Sequence, residues 1–148
     1  MGAIGIKIDS GDLLKLNNKI KQLKKLSTQD LSKNIAHAAI FIQNDAILNA
    51  PHDTGDLRQS IGSEAQGNKA VIYANINYAA FQEFGTGSKV NVKDAEKLGI
   101  PGAEIQRLFK GAGNRKVNIN PQPYFFPAVR KGLYRLLKNI ERDIKKIL

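Results

Sequence analysis

From Val129 onward apolar side chains recur at Val129, Leu133, Leu136, Ile140, Ile144 and Ile147, the spacing of one face of an α-helix. Lys131, Arg135, Lys138, Arg142 and Lys145 follow two residues behind. At 3.6 residues per turn that offset is about 200°, so the opposite face is basic. The pattern predicts a helix over about 127–147 that must lay its stripe on a core. The chain has 148 residues, the length of a single domain, 1–148. Folding at that size buries roughly two thirds of the unfolded surface, enough for one modest core.

The elements that could supply this core are readable upstream. Ile4, Ile6 and Ile8 alternate as in a short strand. Leu13, Leu16, Ile20 and Leu23 then mark an N-terminal helix whose other positions carry Lys15, Lys19, Lys21, Lys24 and Lys25. Ser27-Thr28-Gln29-Asp30 resembles a capping box that opens a second helix, about 29–50. Leu31, Ile35, Ala38, Ile42 and Ala46 form its stripe, with Phe41 and Leu48 widening it, until Pro51 stops it. Leu57, Ile61, Ala65, Ile72, Ala74, Ile76 and Tyr78 read as a hairpin about Gly67-Asn68. A short helical turn over Tyr78–Phe84 follows.

Ser88 to Asn120 is polar, basic and Gly-rich, with a weak helical stretch near Ala103–Phe109, and forms an inserted arm or loop (88–120). Its flanking triplets, Val90-Asn91-Val92 and Val117-Asn118-Ile119, could zip into an antiparallel ribbon. Pro121-Gln122-Pro123 then extends the chain into Tyr124-Phe125-Phe126. The sum is α+β: a small, mainly antiparallel sheet packed by two long helices, with an N-terminal helix and a protruding insert.

Composition removes several chemistries. With no cysteine, disulfides, thiolate nucleophiles and cysteine metal sites are excluded, and only His37 and His52 could serve a triad or a metal. Met1–Ile8 lacks the pattern of a secretory signal, and the longest apolar run, Ala38–Ile42, is far too short to span a bilayer. Gly2 does not make a myristoylation signal, because Ile6 stands where Ser or Thr is needed. A cytoplasmic site of synthesis is expected. Lys and Arg number 23 against 13 Asp and Glu, a net +10 that favours an acidic partner: nucleic acid, an anionic membrane or an acidic protein.

Four motifs invite chemistry and each has a plainer reading. Asp53-Thr54-Gly55 is the aspartic-protease triplet, and a dimer would supply two carboxylates sharing a proton. Its polar flanks, Pro51-His52 and Asp56-Leu57-Arg58, favour a capped turn with Gly55 at positive φ. Gly85-Thr86-Gly87-Ser88-Lys89 is a fragment of a phosphate loop without its second spaced glycine, and reads better as a turn after a short helix. His52 near Asp53 and Asp56 is a weak metal signal, and His37, one turn before Phe41, reads as a structural histidine. The lysine-rich helix faces could grip phosphates, which makes a basic nucleic-acid-binding module the alternative function. No aromatic is interleaved with them for base stacking.

Taken in order, four pieces form a pattern: the second helix ending at Ala50-Pro51; Asp53-Thr54-Gly55 with Leu57-Arg58-Gln59-Ser60-Ile61; Tyr78 to Gly87; and Pro123-Tyr124-Phe125-Phe126-Pro127-Ala128. This order resembles the tailed-phage minor tail and head–tail joining (neck) family typified by gene product ten of coliphage Hong Kong 97, over about residues 30 to 145 without the insert. The resemblance implies a structural virion protein without catalysis, metal or cofactor, assembled in the host bacterial cytoplasm. It implies a head–tail connector or tail-completion ring of about six or twelve copies. Other neck, head-connector or tail proteins would be its neighbours, with transient passage of DNA and no membrane.

Under that resemblance Asp53, Thr54, Gly55, Leu57, Arg58, Ser60, Ile61, Tyr78, Glu83, Phe84, Gly85, Thr86, Gly87, Pro123, Phe125 and Pro127 are fold determinants, and Arg58 has the geometry to pair bidentately with Glu83. The insert's Lys89, Lys93, Lys97, Arg107, Lys110, Arg115 and Lys116 outnumber Asp94, Glu96 and Glu104. Lys89, Lys93, Arg107, Arg115, Lys116, Tyr124 and Phe126 are the expected contacts to neighbouring subunits.

Overall fold

The computed structural model describes residues 9–52, 55–110 and 118–148. The expected strand at Ile4–Ile8, and Asp53, Thr54, Arg115, Lys116 and Val117, lie outside the described residues.

Residues 10–49 are one continuous helical rod: α1 (Ser10–Lys25), a π-helical turn (Leu26–Asp30) and α2 (Leu31–Asn49). The expected capping box at Ser27–Asp30 does not form. Ser27 Oγ and Thr28 Oγ1 instead donate backwards to the Lys24 carbonyl, both at 2.9 Å. Hydroxyls bonded to carbonyls three and four residues back occupy acceptors inside a helix and do not start one. The rod packs through Leu26 of the π-helical turn and along α2. Ala39, Ile42 and Ala46 are buried on α2, whereas α1 buries no residue and Leu13, Leu16, Ile20 and Leu23 all stay exposed. Two expectations on α2 are corrected: Leu48 does not widen the stripe but is 73% exposed, and His37 is exposed on the helix surface.

After α2 a short helix not foreseen in the sequence, α3 (Asp56–Ser60), leads into the hairpin of β1 (Ile61–Gln66) and β2 (Lys69–Ala74). The strands pair antiparallel from Ile61 with Ala74 to Gln66 with Lys69, and Gly67 turns between them at φ 58°. The hairpin lies on α2, where Ser63 Oγ donates to Gln43 Oε1 at 2.6 Å. Across α2 runs the last helix, α7 (Phe125–Ile147), antiparallel to it. Lys131 meets Asp45 at 3.1 Å, and Asn34 Nδ2 donates to Asp143 Oδ2 at 3.0 Å. Gly132 sits at the crossing, where a Cβ would overlap the Ile42 side chain. Missing that carbon, the two backbones approach closely, and the buried line of α7 runs through Ala128 and Gly132. Leu133, expected in the stripe, is therefore turned out and 41% exposed.

The core has two parts. One joins Ile42, Ala46 and Ala50 of the α2 end to Leu57, Ile61, Ala79, Tyr124 and Ala128. The other gathers Phe84, Val92 and Ala95, with Ile105, Phe109 and Phe126 packed against them. It is built largely from the insert, whose α5 (Lys93–Lys97) and α6 (Gly102–Lys110) follow α4 (Ala79–Phe84) and a 3-10 turn (Gly87–Lys89). The ribbon expected between 90–92 and 117–119 is absent among the described residues. Asn91 N–H donates to the Phe84 carbonyl at 2.8 Å, and Ile119 bonds to Thr86, so each triplet is held by the end of α4 and the turn after it. Among the described residues no helix is long and apolar enough to cross a membrane.

Candidate functional site

The motif residues converge on one end of the molecule, where the C-terminus of α2 and the N-terminus of α7 lie side by side. A helix start leaves four backbone N–H groups without partners inside the helix. At α7 these belong to Tyr124, Phe125, Phe126 and Pro127, and proline has none. Glu83, 3% exposed at the end of α4, takes the other three: Oε2 accepts from Tyr124 and Phe125, both at 2.8 Å, and Oε1 accepts from Phe126 at 3.0 Å. The helix begins at Phe125, two residues earlier than its apolar stripe predicts, because a side chain 41 residues upstream caps it.

Arg58 performs the converse task. Its Nε and Nη2 donate to the Ala50 carbonyl at 3.1 and 3.0 Å, and Nη2 reaches the Leu48 carbonyl at 3.5 Å. A guanidinium thus closes the C-terminus of α2 while a carboxylate closes the N-terminus of α7, each at the helix end whose dipole favours its charge. The bidentate Arg58–Glu83 pair expected from the sequence does not exist, because backbone groups occupy both partners.

The remaining motif residues shape the frame around these two caps. Gly55 opens α3 at φ 84°, Leu57 and Ile61 are buried, and Ser60 Oγ donates to the Leu57 carbonyl at 2.7 Å. Tyr78 and Phe125 pack against the first core cluster. Gly85, at φ 74°, has the incoming chain pressed on it: a Cβ there would lie 2.7 Å from the Ile119 carbonyl oxygen and 2.8 Å from Pro121. Thr86 exchanges two bonds with Ile119, its N–H donating to Ile119 O at 3.0 Å and its Oγ1 accepting from Ile119 N at 2.8 Å. At Gly87 a side chain would meet Asn118. Gly85-Thr86-Gly87 is thus a docking turn for residues 118–121, which carry the chain on through Pro123 to Glu83.

Aromatic contacts tie the junction to the insert. Phe109 of α6 packs on Phe81 and Phe84 with centroids at 5.4 and 5.3 Å, Phe84 meets Phe126 at 5.5 Å, and Phe126 meets Phe125 at 5.7 Å. Phe81, Phe109 and Gly132 had no role in the sequence reading beyond the weakly helical stretch that ends at Phe109, and Ile119 was placed in a ribbon where it in fact docks on Thr86. Tyr124, expected at a subunit contact, is a correction. It is 1% exposed and its phenol donates to the Ala79 carbonyl at 3.3 Å, so it is spent inside the subunit. Lys89, Lys93 and Arg107 are exposed, as a contact requires, and Phe126 is half-buried.

Electrostatics at the junction follow from burial. Burial pushes the Glu83 carboxyl above the ordinary carboxylate range, against the pull of its three N–H donors, and the Asp94 charge adds to the rise. Burial also raises the Tyr124 phenol, with Glu83 and Tyr78 contributing. A groove of about 250 Å³ lies beside Glu83, lined mainly by Ala79, Ala80 and the rings of Phe84, Phe125 and Phe126. Glu83 is the ionisable carboxyl there, and both its oxygens are engaged by backbone. Among the described residues no group of three His, Asp or Glu could hold a metal ion.

The class that this geometry defines is a small α+β protein whose charged and glycine motif residues build a junction between helices. Residues 15–85, a little under half of the chain, match the family model described as "Bacteriophage HK97-gp10, putative tail-component", the same family that the sequence motifs resemble. It is a family of phage tail components. No curated protein and no solved structure matches the chain significantly. The matched segment ends at Gly85, so the Pro123–Ala128 motif lies beyond it; Glu83 joins the two.

Proposed function

We propose that the protein is a structural subunit of the neck or tail end of a tailed phage, without a catalytic reaction of its own, acting as a ring that joins head to tail or completes the tail. The observation that carries this reading is the family match over residues 15–85. The capping roles of Glu83 and Arg58 support it, since the motif's charged groups are consumed in architecture. Copies of the same chain would be its first neighbours in a closed ring. The exposed cations of the insert, Lys89, Lys93 and Arg107, would meet an acidic surface on the next subunit or the next ring, and half-buried Phe126 and the sequence's Arg115 and Lys116 are the further proposed contacts.

The test is genetic and visual. A nonsense codon in this gene should leave the encoding phage with unjoined heads and tails, or with tails that fail to mature, and plasmid-borne protein should restore particles. Negative-stain images of restored particles carrying a tagged copy should place the tag at the neck or tail end. Normal infectious particles without the protein would refute the proposal.

A further inference from the structure

The exposed side chains of α1 have a heptad order. Leu13, Leu16, Ile20 and Leu23 are spaced three, four and three residues apart, the a and d positions of a coiled-coil seam. Their exposures are 54%, 55%, 42% and 37%: the end of α7 comes beside α1, and among the described residues nothing buries the seam. Leu14, at b and 63% exposed, is the one leucine of α1 outside the a/d stripe, and such a stripe suits one partner helix. In this register the g positions hold Asp12 and Lys19 and the e positions Asn17 and Lys24, so the C-terminal heptad is the basic one at the positions that choose a partner by charge.

The charge on this helix is also unspent. On α7, Lys131 pairs with Asp45, Lys145 with Glu141 and Arg142 with Asp143. On the rod, Lys21, Lys24 and Lys25 have no ion-pair partner among the described residues, and Lys15 has only exposed Asp12 at 3.6 Å. Lys19 Nζ reaches the Leu148 carbonyl at 3.2 Å while staying exposed.

We infer that α1 is a docking helix for a different protein that presents an acidic amphipathic helix, with apolar residues at a and d and carboxylates at e and g. A second copy of this chain does not fit. Parallel pairing would set Lys19 against Lys24 of the other copy, antiparallel pairing over all four layers would set Lys19 against its own equivalent, and the whole chain carries +10. The eight residues ahead of Asp9 contain no carboxylate side chain and cannot complement the lysines either. Duplex DNA would satisfy the lysines but leave the leucine seam wet. The inference does not rest on the ring reading, because it follows from exposure, spacing and charge on α1 alone.

The test uses the full chain and labelled helical peptides of about three heptads with Leu at a and d. One carries Glu at e and g, a second carries Lys there, and a third scrambles the Glu peptide. Fluorescence anisotropy should show the Glu peptide binding with a Kd of about 10–100 μM, and the other two at least about tenfold more weakly. K19E/K24E should invert the preference between the Glu and Lys peptides. L13D/L16D should abolish binding while leaving the thermal melt unchanged, since α1 buries no residue. Equal binding of the scrambled peptide, no inversion, or stronger capture by duplex DNA or phosphatidylglycerol vesicles would overturn the inference. So would wild-type self-association, measured by sedimentation, that L13D/L16D removes.

Discussion

At the scale of single residues, Glu83 and Arg58 spend full charges on backbone groups, and their removal leaves buried polar atoms behind. Glu83→Ala orphans three N–H groups at the start of α7, which we expect to cost about 3 kcal/mol in chemical denaturation. Arg58→Ala should cost about 1–2 kcal/mol by uncapping α2, and Arg58→Lys should recover little, because an ammonium cannot fork onto the Ala50 carbonyl. The pH dependence of the Glu83 carboxyl has a definite sign. Its folded pKa lies above the unfolded value, so its contribution to stability is fully present below the ordinary carboxylate range and is lost as pH rises through the raised value. Melting curves of wild type and Glu83→Gln across that interval should show the wild type losing ground to the variant as pH rises; a constant difference would refute the assignment.

At the scale of elements, the crossing of α2 and α7 is set by one missing methyl group. Gly132→Ala would push a carbon into Ile42, which is 3% exposed and has no room to move. We expect a loss of about 2 kcal/mol, with Ile42→Ala in the same chain restoring part of it, as a double-mutant cycle of unfolding free energies would show. The hairpin is another case of an element that depends on its neighbour. Two strands alone are marginal in water, and this pair persists because Ile61, Ile72 and Ala74 join the first core cluster on α2.

At the scale of the whole molecule, the insert is part of the body. Val92 and Ala95 are buried with Phe84, and Phe109 packs against two rings of α4. Deleting residues 89–116 should therefore expose Phe84 and Phe126 and lower the melting temperature, so that loss of assembly in such a deletion would not by itself identify a contact. Charge reversal is the cleaner probe. Lys93→Glu with Arg107→Glu changes only exposed groups, so the melt should shift by less than about 0.5 kcal/mol. Under the proposed function the same pair should block incorporation into particles, scored by complementation of a phage lacking the gene.

The long helices, the hairpin and its Gly67 turn were legible because each rests on a local rule: a 3.6-residue or two-residue period, or a glycine where the chain must reverse; the one-turn helices α3 and α5 carry no such period. The α+β class follows from those elements, and the resemblance to the family whose model matches residues 15–85 was legible from four short motifs in order. What the motif residues touch was not. Nothing local says that Glu83 prefers three N–H groups 41 residues away to the Arg58 side chain, or that Ser27 and Thr28 bond backwards within a helix and do not begin one. The insert's paired Val-Asn-Val and Val-Asn-Ile triplets suggest a ribbon, yet Phe84 and Thr86 offer these segments closer partners. Local chemistry along this chain determined which elements form and which faces are apolar. Tertiary structure decided which backbone groups were left unpaired at the helix ends, and so where Glu83 and Arg58 had to go.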